Sequence, residues 1–303
     1  LTAGEMFESV GRRASPRQAR AMVERGEAKV AVIIPSNFNR SLARQGPAQV
    51  QFLIDGSNSN WALASKSAAD AFIDRWGFGR LEDRFRREGP AVTIVPKIYY
   101  NPGLESRYFF LPGVAASILL VVVLLVTALA TARERETGTL EQVLVTPMSP
   151  LVLVLGKTLP FGLVGLVDLA LVLAASAAIF GMPIRGSLLV VGGAGGLFLM
   201  SVLGVGLLIS IGSRTQQQAF VAAMFFNLPA IVLSGFLTPV ENMPLWLQPP
   251  TVLNPIRHFI DVLRSVLIRQ ASLAEVTPQL VAMAGIGVAA YLAAGVYLRR
   301  SLE

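Results

Sequence analysis

Between Val114 and Ala132 the chain has no charged residue, and from Leu151 to Phe180 it has only Lys157 and Asp168. Apolar runs of this length point to bilayer-crossing helices, which need about 20 such residues and satisfy their own backbone hydrogen bonds in lipid. The passage wedged between the two runs, RERETGTLEQVLVTPMSP from Arg133 to Pro150, must then be a short polar connection on one membrane face. Within it Leu140, Val143 and Leu144 fall at helical i, i+3, i+4 spacing, and Arg133, Glu134, Arg135, Glu136, Glu141 and Gln142 supply a polar surface. That pattern predicts a helix along the bilayer surface, ended by Pro147. Ser149 and Pro150 read as the N-cap and first-turn proline of the next helix. Taken alone, such a helix is equally an interfacial anchor whose charges face water.

Apolar residues make up 53% of the chain and its mean hydropathy is +0.58, too high for an ordinary soluble protein of this length. The expected fold class is an α-helical polytopic membrane protein with an N-terminal α/β domain. Five spans are predicted, at about 109–132, 153–180, 187–211, 218–238 and 278–298. Arg133, Arg135, Lys157, Arg214, Arg299 and Arg300 then share one face, whereas the opposite loop at 181–186 carries only Arg185. By the positive-inside rule that shared face is cytoplasmic, the C-terminus is inside, and residues 1–107 are extracytoplasmic.

Residues 1–107 carry sixteen Lys/Arg against eleven Asp/Glu and are polar enough to fold in water. Helices are expected at Ala19 to Glu24, Ser36 to Arg44 and Asn60 to Trp76, and strands at Ala28 to Ile34, Gln49 to Ile54 and Ala91 to Ile98. Asn101-Pro102-Gly103 is the hinge into the membrane domain, residues 108–303. A domain outside the membrane needs something to carry it across, so a further helix upstream of Leu1, making six spans, is expected.

From Ser234 to Arg269 the sequence is apolar yet broken by Pro239, Pro244, Pro249, Pro250 and Pro255. Prolines so spaced exclude one spanning helix and predict a partly re-entrant outer loop at 239–270, with Trp246 at the interface. Phe259, Leu263, Val266 and Leu267 line one side of its last helix, with Arg257, Asp261 and Arg264 spaced to pair along the other.

The order of a membrane helix, RERETGTLEQVLVTPMSP, then a helix opening with Gly156 and Lys157 resembles the permease subunits of type-2 ATP-binding-cassette (ABC) exporters. Glu136, Gly138, Thr139, Leu140, Glu141, Thr146 and Pro147 match that family's E-x-G-T-L-E-x-L-x-x-[ST]-P coupling passage, with Val143 where leucine is usual. IDGSNSNWA, Ile54 to Ala62, resembles a run in the family's extracytoplasmic domain. Ser234, Gly235, Phe236, Pro239, Met243, Pro244, Pro255, Leu263 and Arg264 resemble its outer loop. The resemblance implies a multi-pass permease of the bacterial inner (plasma) membrane, moving a hydrophobic or amphiphilic substrate outward. Its implied partners are cytoplasmic ABC ATPase subunits that bind ATP and Mg, a second permease copy or paralogue, membrane lipids and an extracytoplasmic adaptor. A coupling helix at 133–148 would depend on Glu134, Glu136, Gly138, Thr139, Leu140 and Glu141.

No cofactor is expected in this chain itself. Gly156-Lys157-Thr158 lacks the glycine five residues earlier that a phosphate loop needs, the position being Leu151. Gly192 and Gly196 fall within a span and are expected to give a small-xxx-small contact face. The chain has no cysteine and one histidine, which excludes disulfides and Cys- or His-rich metal sites. No catalytic constellation is present, and the mild basic excess suits anionic lipid rather than nucleic acid. Asp168, alone within a span, Asn227 and Ser234 are the candidate substrate-pathway residues. His258 is expected to be an ordinary interfacial residue outside the apolar core. Two other functions fit the residues: a proton-coupled secondary transporter using Asp168, and a receptor whose residues 1–107 bind a ligand.

Overall fold

The computed structural model describes residues 9–11, 15–43, 48–56, 62–71, 92–138 and 150–300. Two units emerge, Leu1–Phe109 and Phe110–Glu303. In the first, Ser15 caps helix α1 (Pro16–Glu24) by accepting from the Arg17 N–H, and Pro16 takes the first-turn position, where a missing N–H costs nothing. Strand β1 (Val30–Ile33), helix α2 (Phe38–Ala43), strand β2 (Ala48–Asp55), helix α3 (residues 62–71) and strand β3 (Val92–Tyr99) follow. β2 is the centre of a three-stranded sheet, antiparallel to β1 with Val30 opposite Ile54, and parallel to β3 with Ile54 opposite Ile98. Alternate residues Val50, Phe52 and Ile54 point to one face and pack with Ala62 and Ala69 of α3, as the period-2 pattern dictates. The elements fall within a few residues of the periodicities in the sequence. Of the helix expected from Asn60 to Trp76, residues 60–61 and 72–76 lie outside the described residues.

Among the described residues four helices are long and apolar enough to cross a bilayer: Arg107–Glu136, Gly156–Phe180, Leu188–Gly212 and Leu273–Tyr297. They belong to α4 (Arg107–Glu136), α5 (Pro150–Phe180), α6 (Leu188–Gly212) and α9 (Leu273–Arg300). The remaining predicted span, 218–238, is a shorter helix, α7 (Gln216–Val232), of 17 residues. At 1.5 Å per residue it is about 25 Å long, short of a hydrocarbon core of about 30 Å. It stops early because Ser234 turns the chain: its hydroxyl donates to the Ile231 carbonyl (2.6 Å) and accepts from the Phe236 N–H (3.1 Å).

After α7 come two short 3-10 turns, Val240–Asn242 and Pro249–Leu253, and then α8 (Pro255–Arg269). α8 runs antiparallel to α6. Phe259 stacks on Phe198 with ring centroids 4.5 Å apart, and Leu267 accepts from the Arg185 N–H just before α6 begins. Phe198 lies about 15 Å along α6 from Leu188, so α8 starts at mid-depth and climbs to the end of the bundle where α6 starts. Its polar residues hold the preceding loop. Arg257 bonds Thr251, Arg264 donates to the Gly235 carbonyl, and His258 pairs with the Val252 carbonyl at 2.8 Å. His258 is buried, where the sequence placed it outside the apolar core as an ordinary interfacial residue beside Arg257.

α6 is the hub of the second unit, and its small residues make it so. A Cβ added to Gly204 would sit 2.8 Å from Ala290 Cβ of α9, and one on Gly206 would sit 2.9 Å from Thr127 Cβ of α4. Ser201 donates to the Met283 carbonyl of α9 at 2.7 Å. Among the described residues nothing packs on the expected contact face: a Cβ at Gly192 or Gly196 would meet no atom within 4 Å. Gly206→Leu is expected to cost roughly 1–3 kcal/mol by overpacking, whereas Gly196→Leu costs little. Monodispersity of the detergent-solubilised protein after a temperature ramp checks both.

Candidate functional site: the polar end of the helical bundle

The last turn of α4 is Arg133-Glu134-Arg135-Glu136, continuous with the apolar helix. The expected surface helix therefore does not begin at Arg133. The four charged residues stay in α4 because three of them have partners on neighbouring helices. Glu134 forms an ion pair with Lys157 near the start of α5. Arg135 donates to the carbonyls of Ile211 (2.9 Å) and Ser213 (3.4 Å), where α6 ends. Glu136 accepts from the Gln216 side-chain amide (2.8 Å) and backbone N–H (3.4 Å) at the start of α7. Three consecutive residues thus hold three different helices.

Each pairing suits the end of the helix it meets. The last carbonyls of α6 have no intrahelical donor, and a cation there also meets the negative end of the helix dipole. Gln216 N–H is one of the orphan donors of the α7 first turn, and a carboxylate is the favoured acceptor there. Thr215 caps another by accepting from the Gln218 N–H at 3.2 Å, while Gln218 accepts in return from the Arg214 N–H at 2.9 Å. One turn deeper, Ser210 of α6 is sandwiched against α4: its hydroxyl donates to the Ala128 carbonyl (2.6 Å) and accepts from the Ala132 N–H (2.9 Å).

α4 ends in a turn at Thr137–Gly138, with Gly138 at φ +74°, a left-handed conformation that glycine adopts without strain. Thr139, Leu140 and Glu141, and the rest of the expected coupling segment through Ser149, lie outside the described residues. Beside this end, an open groove is lined by Leu129, Gln216, Gln217, Phe220 and Val221, apolar side chains with two amides.

The other predicted site residues are elsewhere. Asp168 lies midway along α5, and its Oδ2 is buried with no hydrogen-bond partner among the described residues. Asn227 of α7 is 2% exposed, and neither of its amide atoms has a hydrogen-bond partner among the described residues. Ser234 is engaged in ending α7. None of the three joins the polar end. From the sequence Arg135 was read only as part of a polar surface and of the charge on one membrane face, and Ser210 and Gln216 were not singled out. The alternation of sign across Glu134, Arg135 and Glu136, all in one helical turn, was the available signal, since one turn projects neighbours in different directions. Among the described residues no cluster of His, Cys, Asp or Glu fits a metal.

A family model for ABC-2 family transporter proteins matches residues 6–296. The chain belongs to the ABC-2 transporter family. It is 37% identical over 281 residues to the probable multidrug ABC transporter permease YbhR of Escherichia coli, covering 91% of this chain and 76% of that protein. It is 34% identical over 250 residues to the probable multidrug ABC transporter permease YbhS of the same organism, covering 82% and 66%. Over 292 residues it is 30% identical to the E. coli inner membrane transport permease YhhJ, covering 93% and 76%. The relatives are permeases, and with the apolar helices they make this ABC-2 chain a multi-pass membrane permease.

The Glu134–Lys157 pair is half-buried, which limits solvent screening without removing it. A double-mutant cycle through Glu134→Gln and Lys157→Gln is expected to give a coupling of about 1 kcal/mol in thermal stability, and the charge-swapped pair to recover most of it.

Proposed function

We propose that the chain is the membrane-spanning subunit of an ABC exporter that moves hydrophobic or amphiphilic molecules out of the cytoplasm or inner leaflet. ATP, with Mg, is hydrolysed in separate cytoplasmic ATPase subunits, and a second permease copy or paralogue completes the pathway. The observation that carries this reading is the polar end of the bundle: the segment matching the family's coupling passage leaves α4 immediately after the turn that holds α5, α6 and α7. Any displacement of that segment acts on all three helices at once.

The orientation follows from charge. The α4, α6 and α9 C-termini and the α5 and α7 N-termini share one end, where Arg133, Arg135, Lys157 and Arg214 gather, and we place that end in the cytoplasm of an inner membrane. The chain then crosses five times, the fourth crossing being α7 completed by the loop and α8. Residues 1–107 are extracytoplasmic, open to an adaptor, and the C-terminus is inside. The groove of Leu129, Phe220 and Val221 beside Gln216 and Gln217 suits an amphiphile, with apolar walls and amides at one end. Asp168 remains the basis of a proton-coupled alternative, and Asn227 and Ser234 of a pathway role, but relatives named as ABC permeases favour ATP as the energy source.

Replacing Glu141 with Lys is expected to leave membrane insertion intact while abolishing stimulation of ATP hydrolysis by an amphiphilic dye in the reconstituted complex. Unchanged stimulation contradicts the coupling role.

A further inference from the structure

The three links at the end of α4 are not equivalent. α5 and α7 are reached by the Glu134 and Glu136 carboxylates, at the tips of flexible side chains. α6 is linked twice over: the Ser210 hydroxyl bridges Ala128 O and Ala132 N of α4, and Arg135 donates to the Ile211 and Ser213 carbonyls. Four bonds from two separate side chains, against one ion pair to α5 and two bonds from a single carboxylate to α7, make α4 and α6 the pair most firmly tied at this end among the described residues.

We propose that Arg135 is the positioning residue that hands displacement of the segment beyond Gly138 to α6, and that α6 carries it as a rod to α8 at the far end of the bundle. This rests on the coupling reading above and names its route. α6 has the contacts a rod requires. At one end it is joined to α4. Along its length Ser201 bonds the Met283 carbonyl of α9. Phe198 stacks on Phe259 with the rings 7° from parallel, and beyond its start the Arg185 N–H donates to the Leu267 carbonyl of α8. A Cβ on Gly186 would collide with the Val266 carbonyl, so the chain leading into α6 and the end of α8 touch through backbone. α8 in turn holds the outer loop through Arg257, His258 and Arg264. Movement at the α4 end therefore has a continuous path of backbone and ring contacts to that loop. Arg135 is the first side chain on it.

The chain has no cysteine, so a single Leu245→Cys, on an exposed part of the loop, can carry an environment-sensitive fluorophore. The complex is purified from its native membrane with its ATPase and returned to vesicles, and emission is followed on adding ATP with vanadate. Arg135→Ala is expected to reduce the nucleotide-dependent response roughly tenfold while ATP hydrolysis stays within about twofold. Arg135→Lys recovers part of the response, because an ammonium still donates to α6 carbonyls but lacks the guanidinium fork. Ser210→Ala removes the second link without removing a charge, and is expected to weaken the response too. It decides the matter if Arg135→Ala does not assemble. A wild-type response in an assembled Arg135→Ala complex, or in Ser210→Ala where that variant decides, overturns the proposal. A wild-type probe blind to nucleotide, or a permease purifying without an ATPase, overturns instead the coupling reading beneath it.

Discussion

Helices in lipid gain nothing from burying apolar side chains against one another, since the tails around them are as apolar as leucine; they associate through close packing and interhelical hydrogen bonds. α6 supplies both. Gly204 and Gly206 let α9 and α4 approach until a methyl group would collide, and Ser201 and Ser210 bond to the main chains of those same two helices. Phe198 adds a stacked ring for α8. Fill those small positions and α4 moves out, carrying with it the turn on which the polar end is built.

Polarity is concentrated where helices end. Backbone groups at helix termini need partners, and in a bundle with little water near its core the partners must come from neighbouring side chains. Arg135 serves the end of α6 and Glu136 the start of α7, so capping and helix-to-helix connection are the same bonds. The last turn of α4 is consequently a structural joint, and in the function proposed above it is where a motor subunit would act on the bundle. The adjoining groove, apolar with two amides, lies within reach of that joint because Gln216 belongs to both.

Much of this was legible in the sequence. Long apolar runs with few or no charges locate α4, α5, α6 and α9, alternation of apolar residues locates the strands, and prolines exclude a single helix across 239–255. What was not legible depends on which way a residue faces after packing. Gly192 and Gly204 are alike in sequence, yet one points to open space and the other to α9. The end of α4 was read one turn early because charges at 133–136 look like the start of a surface segment when their partners, 23 to 80 residues away, are unknown. His258 was placed outside the apolar core because it stands beside Arg257, but a helix turns successive residues to different faces, and the histidine falls on the one packed inward. α7 was read six residues too long because hydropathy continues past Val232, whereas the Ser234 hydroxyl turns the backbone there.

That the polar end of the bundle faces the cytoplasm, where a motor subunit can grip it, is open to a direct measurement. Thr137→Cys, at the exposed turn after α4, provides a thiol in a sequence with no other. A membrane-impermeant maleimide applied to intact cells is predicted to leave it unlabelled and to label it once the inner membrane is opened. Labelling in intact cells would put that end outside and leave an intracellular ATPase nothing to hold.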